Sequence, residues 1–154
     1  MADRSVPAGP GRRMPRERAG SWPVLVVVSA GGLLGALARY AISVALPHPP
    51  GAFAWSTFLV NVSGCLLIGV LMTLIGDVWS GRRLLRPFLG VGVLGGYTTF
   101  STYVVDIHQA MTAGAAGTAL AYLLGTLAGA MTAVWAGAAG TAWALETAKG
   151  RRRR

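Results

Sequence analysis

The run GVLGGYTTFSTY, residues 92–103, lies in the middle of an apolar segment and does not match its surroundings. Two adjacent glycines, Gly95 and Gly96, are followed by Thr98, Thr99, Ser101 and Thr102 around Phe100. Each glycine costs a helix interior roughly 1 kcal/mol against alanine. The hydroxyls offer the backbone competing partners. A helix that only faced lipid would have no use for such a run. Broken backbone at membrane depth is tolerated where it is buried in protein or lines a watery cavity. The run therefore reads either as a helix break with a purpose or as a small-residue face for helix packing.

Working outward, 53% of the 154 residues are hydrophobic and 12% are charged, with a mean hydropathy of +0.54. A single soluble domain of this size could not hide that much apolar surface. Four apolar runs, about residues 24–46, 53–75, 87–107 and 118–145, reach the roughly 20 residues that a bilayer crossing needs. The fold class expected is an all-α membrane protein with four transmembrane helices. Residues 1–22 form a basic, Pro/Gly-rich tail expected to be disordered. Residues 23–146 form the membrane domain, and 147–154 a second basic tail. The basic head before an apolar run resembles a signal peptide, but the run is too long and Arg39 interrupts it, so an uncleaved first span is expected.

The net charge is +9, and its distribution argues against nucleic acid. Of fourteen Lys and Arg residues, thirteen sit in the tails or in the loop holding Arg82, Arg83 and Arg86. The turns after the first and third spans hold none. That bias places both termini and the second loop in the cytoplasm, against an anionic lipid leaflet.

Only five carboxylates exist, and none lies at mid-membrane. A proton-coupled transporter usually carries an ionisable relay there. No Ser/His/Asp set, carboxylate pair or phosphate loop is present, so enzymatic machinery is not expected. Cys65 and two separated histidines give no transition-metal cluster. What remains is a neutral track: Thr57, Asn61, Ser101, Thr102, Tyr122 and Thr126, with Phe100 and Tyr103. Neutral donors and positive ring edges suit a small anion without trapping it. Asn61 also admits a role as interhelical glue, and Arg39 reads either as snorkelling to the interface or as drawing anions to a vestibule. Two GxxxG pairs, Gly31 with Gly35 and Gly125 with Gly129, permit close helix approach.

Three motifs in order, GGLLGALARY (31–40), STFLVNVSG (56–64) and GVLGGYTTFSTY (92–103), resemble the Fluc/CrcB fluoride channels. The resemblance spans about residues 24–145. It implies an antiparallel, dual-topology-type dimer of four-helix subunits with a broken third helix, exporting fluoride passively from the cell. It implies a structural Na⁺ at the dimer centre, held by the backbone carbonyls of Gly95 and Thr98. Asn61 becomes the pore amide with Thr57 one turn back. Phe100 and Tyr103 become the pore aromatics, and Ser101, Thr102, Tyr122 and Thr126 the flanking hydroxyls. Arg39 and Asp106 fall at the vestibules. Two positions depart from the family pattern: Tyr103 replaces a phenylalanine, and Ala130 stands where a hydroxyl is common. The one-sided charge suggests insertion one way, hence a heterodimer with an oppositely oriented homologue; the alternative, a homodimer, calls for weak charge bias and copies inserted both ways. Two other functions compete: a small multidrug-type exporter, weakened because the first span lacks a glutamate, and a non-conducting membrane scaffold.

Overall fold

The computed structural model describes residues 22–79 and 81–152. The tail expected to be disordered lies outside them, apart from Trp22, which opens a helix. Helix α1 spans Trp22–Ala45, α2 Trp55–Asp77, α3 Gly95–Tyr97, α4 Ser101–Thr112 and α5 Ala116–Arg152, with a π-helix at Arg86–Leu94 before α3. Four segments are long and apolar enough to cross a membrane: Trp22–Ala45, Trp55–Asp77, Arg86–Thr112 and Ala116–Arg151. At 1.5 Å per residue, α1 measures about 36 Å, enough for a hydrocarbon core of about 30 Å. The fourth helix does not stop near residue 145 as the apolar pattern suggests. Its polar end stays helical to Arg152.

The connections follow from their chemistry. Pro47, Pro49 and Pro50 end α1 because proline disfavours helix at the residue before it and donates no N–H. Gly51, with φ +87°, closes the turn that follows. Between α4 and α5, the N–H of Gly114 donates to Met111 and that of Ala115 to Ala110, at 3.1 and 2.9 Å. This is a Schellman closure, with Gly114 (φ +74°) in the left-handed conformation that it requires.

Packing makes two helix pairs. Helix α1 lies on the π-helix and α3, and α2 lies along α5. The first GxxxG serves the first pair: Gly31 and Gly35 are the buried residues of α1, and a Cβ on either would strike the backbone of Phe88 or Val93. The second GxxxG does not act as a pair, because Gly125 faces open space. Instead Gly69 and Gly137 bring α2 and α5 together, each against the other helix's backbone.

Few large side chains are fully buried, Tyr122 and Val60 among them. Trp22, Leu33, Tyr40, Trp135 and Trp143 are all more than half exposed. In water such apolar surface would be a liability. Lipid tails are as apolar as leucine and impose no such cost. The chain is a multi-pass membrane protein of four helical spans.

Candidate functional site

Within the third span the backbone leaves helical geometry at Thr98, with φ −76° and ψ 155°. This is three residues beyond Gly95, which itself is helical at φ −67° and ψ −35°. The glycine pair is thus not the extended point. Gly96 is required for another reason: a Cβ there would meet the carbonyl of Gly32 in α1. The wide winding before it, absent from the sequence reading, is eased by Gly90 and Gly92, which carry no side chain.

Asn61, on α2, meets the extended backbone directly. Its Nδ2 donates to the carbonyl of Thr99, and the N–H of Thr99 donates to its Oδ1, both at 2.9 Å. The side-chain amide thereby replaces a helical neighbour and leaves one N–H free, since the amide nitrogen carries two. Thr99 in turn opens α4. Its Oγ1 accepts from the N–H of Thr102 at 3.2 Å and donates to Thr102 Oγ1 at 3.0 Å. The Oγ of Ser101 lies 3.3 Å away. The sequence reading gave Thr99 no role of its own. Its signal was a threonine three residues before Thr102 at a helix start.

These bonds have a consequence for two carbonyls. In an unbroken helix the N–H of Thr99 would bond to Gly95 and that of Thr102 to Thr98. Here the first bonds to Asn61 Oδ1 and the second to Thr99 Oγ1. The carbonyls of Gly95 and Thr98 therefore lose those donors, and such oxygens at a half-helix end suit a hard cation such as Na⁺. Among the described residues no group of three or more His, Cys, Asp or Glu is placed to hold a metal.

The polar track divides into two cavities. One, of about 310 Å³, is lined by Asn61, Cys65, Phe100, Tyr103, Thr126 and Ala130, with Thr98 and Thr99 at its edge. The other, of about 370 Å³, brings Arg39, Ser56, Thr57, Ser101 and Thr102 together. Thr99 borders both. Thr57 and Asn61 separate because four residues overshoot a full turn by about 40°, and Thr99 stands between them. Tyr122 lines neither cavity. It is 2% exposed and packs edge-on to Phe53 at 5.1 Å.

The hydroxyl of Tyr103 donates to the carbonyl of Leu123 on α5 at 2.7 Å. The extra hydroxyl thus has a partner away from the cavity, while the ring lies 6.0 Å from that of Phe100. Phe100 itself is 76% exposed. Thr126, 5% exposed, presents Oγ1 with no hydrogen-bond partner. At the far end Tyr122 donates to Asp106 Oδ2 at 3.2 Å, and His48 Nε2 lies 3.7 Å from Asp106 Oδ1.

Comparison with known proteins bears on this arrangement. The family model described as "CrcB-like protein, Camphor Resistance (CrcB)" matches residues 26–138. A fluoride-specific ion channel FluC 2 of Nocardia farcinica is 51% identical over 126 residues, covering 82% of this chain and 90% of the relative. A FluC 2 channel of Streptomyces avermitilis is 54% identical over 119 residues, 75% of each chain. One from Thermobifida fusca is 50% identical over 133 residues, 86% of this chain and 98% of the relative.

Proposed function

The chain belongs to the CrcB family, and on that premise we propose that it is a fluoride channel that lets the anion leave the cell down its gradient. The family is one of ion channels, so the chain is not an enzyme.

The observation that carries the reading is the cavity that Asn61 lines together with Phe100 and Tyr103. The second N–H of Asn61 and the ring edges of Phe100 and Tyr103 supply weak positive poles around this space. The donors are neutral, so the ion is held without being trapped. Ser101, Thr102 and Thr57 extend hydroxyls into the second cavity, where Arg39 draws anions inward.

A second subunit fits two features. Phe100 is too exposed to wall a path alone and would be covered by a partner. The Gly95 and Thr98 carbonyls would hold a structural Na⁺ between two copies. That ion would tie the two breaks together and take no part in conduction. The thirteen-to-zero distribution of Lys and Arg favours both termini in the cytoplasm, in the plasma membrane, with lipid around the helices. One-way insertion would make the opposite-facing partner a homologue. A homodimer would need copies inserted both ways. A topology reporter on the 79–85 loop and on the 46–54 turn separates them, since substantial populations of both orientations would defeat one-way insertion.

The functional test is fluoride efflux from vesicles carrying the chain, with chloride as control and Asn61→Asp as the diagnostic variant. Equal flux of fluoride and chloride, or full flux in the variant, would contradict the reading.

A further inference from the structure

Helix α5 outlasts the helix it packs on. Gly69 sits on the backbone of Val134 and Ala138, and Gly137 on that of Leu66 and Val70. The two helices therefore run in the same direction and in step. Leu145 draws level with Asp77, where α2 ends. At 1.5 Å per residue, Glu146–Arg152 reaches about 10 Å past that end. Cations near a helix C-terminus meet the negative end of its dipole, so Lys149 and Arg151 help this stretch to stay helical.

The same end gathers more positive charge. Gly92 lies on Val28 and Gly96 on Gly32, which sets Arg86 level with Trp22 at the start of α1. The short turn between α1 and α2 puts that start beside the end of α2. One rim of the bundle thus carries Arg82, Arg83 and Arg86 together with Lys149 and Arg151. All are exposed. Asp77 and Glu146 lie at the same rim, yet among the described residues neither comes within ion-pair distance of these cations.

Two further features say what meets this charge. Trp22 and Trp143 stand near one level and are 70% and 71% exposed, and Trp79 follows the end of α2. Tryptophan at that level belongs to the boundary between headgroups and acyl chains. Val78 and Leu84, on either side of the loop, are exposed as well. A free anion gains nothing from apolar neighbours, whereas a phospholipid brings a phosphate and an apolar edge together.

We propose that this rim is a binding surface for anionic phospholipid, with Arg82, Arg83 and Arg86 as one anchor for its phosphates and Lys149 with Arg151 as a second. The guanidinium groups suit phosphate oxygens in pairs, and the lysine acts as a point charge. Helix α2 touches both the π-helix and α5, which do not touch each other. The anchors are therefore separate, and their contributions add. The surface does not depend on what passes through the bundle.

The test is native mass spectrometry of the full chain in a nonionic detergent, titrated with phosphatidylglycerol or with phosphatidylcholine of the same chains. Phosphatidylglycerol is expected to bind at least about tenfold more tightly, since each basic residue near a lipid surface contributes roughly fivefold. The double variants Arg82→Gln/Arg83→Gln and Lys149→Gln/Arg151→Gln should each weaken it by about fivefold or more, and the fourfold variant further still. Arg82→Lys/Arg83→Lys, which keeps the charge, should hold most of the affinity. All these side chains are exposed, so circular dichroism should show the wild-type helix content throughout. Equal affinity for the two lipids, or phosphatidylglycerol binding unchanged in the fourfold variant, would overturn the proposal. Glycerol phosphate that displaces the lipid at equal concentration would overturn the choice of a membrane ligand.

Discussion

Asn61 and Thr99, thirty-eight residues apart in sequence, exchange two hydrogen bonds of 2.9 Å through one side-chain amide and one peptide backbone. This pairing lies next to Thr98, the extended residue of the third span. It satisfies both backbone groups of Thr99 where the helix cannot, and it leaves one amide N–H to spare on a residue that lines the cavity.

Asn61→Asp tests both halves of that role. A carboxylate can still accept from the Thr99 N–H, but it cannot donate to the carbonyl, and it adds a negative charge to an anion path. The variant is expected to lose about 1–3 kcal/mol of stability from the unpaired carbonyl. Fluoride flux should fall below detection. Thermal unfolding in detergent and vesicle efflux measure the two effects on the same preparation.

Thr126→Val should raise stability and leave function in place. The substitution keeps the shape and removes the orphaned hydroxyl, so the protein should gain on the order of 1 kcal/mol. Flux should be preserved, because the buried Oγ1 does not reach the cavity space. A variant that unfolds earlier than wild type would show that the hydroxyl has a partner after all.

Tyr103→Phe removes the hydroxyl alone. It removes the bond to the Leu123 carbonyl and keeps the ring beside Phe100. The expected loss is about 0.5–1.5 kcal/mol of stability with fluoride flux preserved. Flux lost together with the hydroxyl would make that group part of the path.

Gly35 and Gly125, one from each GxxxG pair, should behave oppositely. Gly35→Ala forces a Cβ into the Val93 backbone and should prevent α1 from docking, read as loss of a monodisperse folded species in detergent. Gly125→Ala meets nothing within 4 Å and removes a poor helix former, so it should be neutral or stabilising by up to about 1 kcal/mol.

The four spans were legible because length and apolarity alone specify a membrane helix. The neutral track was legible because polar residues amid lipid-facing runs stand out: Asn61, Phe100, Tyr103 and Thr126 do line one cavity. Its division was not legible. Helical spacing places Thr57 and Asn61 near one face, but the overshoot of four residues, about 40°, and the intervening Thr99 put them on different cavities. Position of the extended residue was also hidden. Gly95–Gly96 carries the stronger breaking signal, yet Asn61 captures the Thr99 backbone and shifts the extended residue to Thr98. The second GxxxG misled because the motif permits close approach without dictating it, and tertiary packing used Gly69 and Gly137. Proximity of His48 to Asp106 depends on two turns meeting, which no local pattern encodes.

The central claim is most directly tested by fluoride efflux from proteoliposomes holding the purified chain, read with a fluoride electrode beside a chloride control. The account predicts fluoride flux without chloride flux, abolished by Asn61→Asp, with the chain alone or with an oppositely oriented homologue co-expressed. Fluoride retained inside the vesicles in both preparations, or flux undiminished by Asn61→Asp, would contradict it.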